Sequence, residues 1–81
     1  MFICVGVADA HLSVAVMWVE ASYTIDKVKA MIRDKAIARG FQPRPFGLYF
    51  VGQELENGLI LSDYGIDNKS LIMIANYYYV V

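Results

Sequence analysis

Leu48-Tyr49-Phe50-Val51-Gly52-Gln53-Glu54-Leu55-Glu56-Asn57-Gly58, followed by Leu61-Ser62-Asp63-Tyr64-Gly65-Ile66, is the stretch that decides the fold. Phe46 to Val51 is apolar and aromatic, the composition of a strand. Gly52 permits a tight turn, Leu55 marks a very short strand, and Asn57-Gly58 supplies a second turn. Leu59 to Ile66 then reads as a compact loop in which Ser62 can cap a single helical turn. A strand, a tight return and a tied-down loop cannot bury an apolar face alone, so the rest of the chain must cover it.

Upstream, Pro43 and Pro45 forbid a helix and make Phe41 to Pro45 an extended connection. Before it, Ile25, Val28, Ile32 and Ala36 recur at helical spacing while Lys27, Arg33 and Asp34 point elsewhere. Thr24 can accept a hydrogen bond from the first turn, and Asp26 complements the positive end of the helix dipole. Lys35 and Arg39 suit the other end, and Gly40 supplies a left-handed stop. Met1 to Val7 and Leu12 to Glu20 are apolar or β-branched around the short break Ala8-Asp9-Ala10-His11, which predicts a hairpin. Downstream, Ser70 to Tyr79 is a last strand able to lie beside the first. The order is α+β, one helix across a mixed sheet of four to five strands, in a single domain spanning residues 1–81.

The motifs quoted above, with Thr24-Ile25-Asp26-Lys27-Val28-Lys29-Ala30, Ile32, Asp34-Lys35 and the opening Met1-Phe2-Ile3-Cys4-Val5, together resemble the ubiquitin family. The resemblance runs to about Asn76, with a first hairpin longer by about two residues and a helix-to-strand connection longer by about three. It implies a ubiquitin-like β-grasp fold in which the Tyr64 hydroxyl ties down the preceding loop. The helix stripe would then meet Met1, Ile3, Val5, Met17, Val19, Leu48, Phe50, Leu55, Leu61, Ile66, Ile72 and Ile74.

Departures from the family shape the functional expectation. The chain as given ends Tyr77-Tyr78-Tyr79-Val80-Val81 where family modifiers carry two glycines, which implies a non-conjugated relative. Gln53 and Asn68 replace chain-forming lysines, leaving Lys29 and Lys35. The receptor-binding isoleucine, histidine and valine of the family are matched by Tyr49, Met73 and Ala75, and the flanking basic residues by Gly47 and Tyr77. The resemblance thus implies a module that engages ubiquitin-pathway or proteasomal proteins. Two alternatives stand beside it: a conjugatable modifier whose Gly-Gly tail is absent from the given sequence, and a structural or engineered scaffold that self-associates.

Strand alternation locates the surface for such binding. If Met1, Ile3 and Val5 are core, then Phe2 and Cys4 face out, with Val14, Val16 and Trp18 from the second strand, Tyr49 from the third and Leu71, Met73 and Ala75 from the last. An apolar patch of that extent calls for a protein partner, a second copy or a neighbouring domain. Trp18, Phe2 and Tyr49 are its natural anchors. A hairpin register shifted by one residue would instead bury Trp18.

Composition narrows the classes further. Hydrophobic residues make up 58% and charged residues 19% of the 81 positions, with a net charge of −1. That surplus of apolar side chains favours protein contacts, and the scattered cations do not form a phosphate-binding field, so no nucleic-acid partner is expected. Cys4 is the only cysteine and His11 the only histidine, so no catalytic constellation, cofactor site or metal site is expected. His11 reads as a solvated turn residue, and Gly40, Gly47, Gly52, Gly58 and Gly65 as turn glycines instead of a phosphate loop. No apolar run reaches membrane-spanning length, and the single thiol fits a cytoplasmic or nuclear setting.

Overall fold

A computed structural model describes residues 1–7, 14–40 and 45–75; of residues 7, 14, 15 and 75 it describes the backbone only. The expected turn at residues 8–11, most of the Phe41 to Pro45 connection and the Tyr77-Tyr78-Tyr79 run lie outside the described residues.

The elements are β1 (Phe2–Val7), β2 (Val14–Trp18), α1 (Ile25–Ala38), β3 (Gly47–Phe50), β4 (Gln53–Glu54), a 3-10 turn at Leu61–Tyr64, and β5 (Leu71–Ala75). They form one five-stranded sheet in the order β2-β1-β5-β3-β4. β1 and β5 run parallel at its centre, with Val5 beside Ile72 and Val7 beside Ile74. The other pairs are antiparallel. A parallel central pair needs a crossover between its strands, and α1 lies within that crossover and packs on one face of the sheet, the β-grasp arrangement.

Alternation carries the core as expected. Ile3, Val5, Met17, Val19, Leu48, Ile72 and Ile74 are buried against Ile25, Val28 and Ile32, and Leu55, Leu61 and Ile66 close the cluster. Met1 and Phe50 pack at its margin. Phe46, which the sequence reading counts in the strand but not in the core, lies just before β3, shares the parity of Leu48 and is buried. Thr24 caps α1, its hydroxyl accepting from the Lys27 N–H at 3.2 Å. At the other end Gly40 takes a φ of 88° and its N–H donates to the Ile37 carbonyl at 3.0 Å.

Three local expectations are corrected. Ser62 does not cap the 3-10 turn; the Asp63 carboxylate accepts from the Ile60 N–H at 3.0 Å, while the Ser62 N–H donates to the Ala21 carbonyl at 3.1 Å. A carboxylate one residue further along reaches that N–H with charge assistance. Gly47 is not a turn residue but the first residue of β3, in register with Ala75. Val51 leaves the strand and adopts a φ of 51°, forming with Gly52 (φ 77°) the two-residue loop between the Phe50 and Gln53 pair. Two successive left-handed residues match the twist of a tight hairpin, and that geometry overrides the strand preference of valine.

Candidate protein-binding face

The face of the sheet turned away from α1 is built by the even residues of β1 and β2, the odd residues of β3 and β5, and the register between them. Phe2 stands opposite Trp18 and Cys4 opposite Val16 across β1 and β2. Cys4 neighbours Leu71, and Gly6 neighbours Met73, across β1 and β5. Met73 neighbours Tyr49, which neighbours Glu54 at the far edge. Two apolar rows therefore cross the sheet: Val16, Cys4 and Leu71 in one, Met73 and Tyr49 in the other.

Exposure separates these side chains into two groups. Phe2, Val16, Trp18 and Leu71 are open to solvent at 51%, 58%, 52% and 50% of their surface, an unusual concentration of large apolar side chains on adjacent strands. Cys4, Tyr49 and Met73 are half-buried. Val14 and Ala75 stand in register with Gly6 and Gly47, and their side chains lie outside the described set. Thus Phe2, Val16, Trp18, Tyr49, Leu71 and Met73 lie on the face that alternation assigned them, and Trp18 is not buried by a register slip.

At one corner the Phe2 and Trp18 rings meet edge to face, with centroids 4.9 Å apart and planes at 77°. The Trp18 indole N–H donates to the Glu20 carboxylate at 3.2 Å, which fixes the ring's tilt. Phe2 is held from the backbone: its N–H donates to the Asn68 side-chain carbonyl at 2.9 Å and its carbonyl accepts from Lys69 at 2.7 Å. The aromatic corner is thereby tied to both β2 and the entrance of β5.

Two glycines on this face, Gly6 and Gly47, explain why its other end lies lower. A Cβ on Gly6 would sit 3.3 Å from the Met73 sulfur and 3.8 Å from Leu71 Cδ1. A Cβ on Gly47 would sit 3.1 Å from Tyr49 Cε1 and 3.0 Å from Glu54 Oε2. Met73 and Tyr49 thus occupy space that a side chain would claim, leaving Phe2 and Trp18 proud of the surface. The signal was available, since a glycine inside a strand pattern marks a close approach.

Among the described residues no group of three or more His, Cys, Asp or Glu is placed to hold a metal ion, and no helix is long and apolar enough to cross a membrane. No buried side-chain nitrogen or oxygen among them lacks a hydrogen-bond partner. The fold and this face together define a small α+β domain of β-grasp arrangement carrying an apolar sheet surface with an aromatic corner. No family model matches the chain.

Proposed function

We propose that the chain is a non-conjugated ubiquitin-like module that binds proteins of the ubiquitin pathway or the proteasome through the outer face of its sheet. The observation that carries this reading is the solvent exposure of Phe2, Val16, Trp18 and Leu71 on adjacent strands. Burying apolar surface returns about 25 cal/mol per Å², and aromatic side chains held in place beforehand lose little freedom on docking. The Phe2 and Trp18 pair meets that second condition through its ring contact and the Glu20 hydrogen bond. Tyr49 and Met73 extend the face at positions that the resemblance aligns with the family's receptor-binding residues. The reading assigns the chain no catalytic step and no cofactor.

Calorimetric titration with a ubiquitin-binding helix tests it. Saturable binding that is lost in Tyr49→Asp and in Trp18→Asp, with both variants still folded, is the expected result. Absence of binding by the parent chain, or binding indifferent to both substitutions, would remove the outer face from the account.

A further inference from the structure

The two edges of the sheet are unequal. β4 has only two residues, both polar, and one of them is Glu54. Short charged edges resist pairing with other chains. β2 has five residues, Val14-Ala15-Val16-Met17-Trp18, with no charge and no proline, and its ladder to β1 is unbroken from residue 14 to residue 18. Among the described residues no strand pairs with its far side.

Ladder geometry fixes which backbone groups that open side presents. Met1 and Val19 exchange both of their backbone hydrogen bonds, each 2.8 Å long. In an antiparallel ladder hydrogen-bonded pairs alternate with pairs that are not, so Met17 and Ala15 also point their N–H and C=O at β1. Trp18, Val16 and Val14 therefore direct theirs outward.

We propose that this edge pairs with the same edge of a second copy, making a two-fold dimer through an antiparallel β2–β2 contact centred on Val16. This goes beyond the module reading above and does not depend on it. Only one register lets all three outward residues exchange both bonds with outward residues: Val16 faces Val16 of the second copy, and Val14 and Trp18 face each other twice. That contact is isologous, as a two-fold requires. It sets an aromatic residue opposite a β-branched one at both ends, a favourable cross-strand pairing. It also keeps like charges apart, because Glu20 of each copy lies at opposite ends of the contact, about eight strand rises of ~3.4 Å from its counterpart. An unrelated strand could use the same edge, but the uncharged self-matching register favours a second copy. The two-fold stands perpendicular to the sheet, so both outer faces lie on one side and merge into one surface.

A charge swap at the two-fold tests this register. Val16 is exposed, so Val16→Lys and Val16→Glu should both fold, which circular dichroism checks. In sedimentation across a wide concentration range the parent chain is expected at twice the chain mass. Each variant alone is expected at the monomer mass, because residue 16 then opposes a like charge. An equimolar mixture is expected to return to the dimer. Val16→Pro gives a second reading, since it deletes an outward N–H without removing a bond to β1, and is expected to be monomeric. A monomeric parent chain, variants that dimerise as the parent does, or a mixture that stays monomeric would each overturn the proposal. Binding of the helix peptide is scored separately, so failure of the dimer and failure of the module reading give different results.

Discussion

Phe2 and Trp18 are cross-strand partners whose rings meet edge to face at 4.9 Å, half-exposed on the side of the sheet that the helix leaves open. Such pairs contribute about 0.5–1.5 kcal/mol beyond the area they bury. A double-mutant cycle with Phe2→Ala and Trp18→Ala, read by urea denaturation, should show a coupling within that range. Strictly additive effects would mean that the rings do not support one another.

Val51 stands at a φ of 51° and is almost fully exposed, so its side chain gains little packing to offset a left-handed backbone. That conformation costs an ordinary residue roughly 1–2 kcal/mol, and asparagine much less. Val51→Asn is therefore expected to stabilise the domain by about 1 kcal/mol, a rise of roughly 4–8 °C in Tm for a chain of this size. A fall in Tm would show that the turn does not take this geometry.

The Tyr64 hydroxyl accepts from the Glu56 N–H at 2.8 Å and so ties the loop after β4 to the 3-10 turn. Tyr64→Phe should cost about 1 kcal/mol, typical of one lost hydrogen bond. Amide exchange is the sharper readout, because the loss should speed exchange at Glu56 more than at the core residue Leu48. Equal exchange at Glu56 in both proteins would contradict the tether.

Asp26 joins the helix start to the second turn. Its carboxylate accepts from the Gly58 N–H at 3.2 Å, and this bond, helped by its own N–H, the Thr24 hydroxyl and Lys29, holds its pKa below the ordinary 3.8. A carboxyl whose folded pKa is depressed stabilises the fold above its unfolded pKa, and that contribution fades as pH falls through the folded value. The parent chain should thus be more stable than Asp26→Asn at neutral pH, with the difference shrinking below about 3.8. Denaturation curves at several pH values check this; a difference that persists unchanged into strong acid would contradict it.

The fold was legible because two periodicities agree. Ile25, Val28, Ile32 and Ala36 fall on one stripe of α1, while Ile3, Val5, Met17, Leu48, Ile72 and Ile74 keep one parity in their strands. The outer face followed from the same parity, which is why Phe2, Val16, Trp18 and Leu71 were found where alternation put them. Less legible was anything set by local backbone geometry. Val51 reads as strand by its β-branching, yet the two-residue hairpin demands a left-handed pair. Gly47 reads as a turn until its register with Ala75 is known, and Gly6, whose place inside a strand marks a close approach, does not by itself say that Met73 is the side chain lying over it. The depth of Tyr49 and Met73 therefore depends on contacts between strands distant in sequence.

The central claim, that the outer face is where partners dock, is tested most directly by the emission of Trp18, the only tryptophan in the chain. Under dilute conditions, addition of a ubiquitin-binding helix should shift that emission to shorter wavelength and shield it from acrylamide quenching, saturably, and Tyr49→Asp should abolish both changes. Emission and quenching that stay constant while calorimetry registers binding would place the partner elsewhere on the molecule and contradict the account.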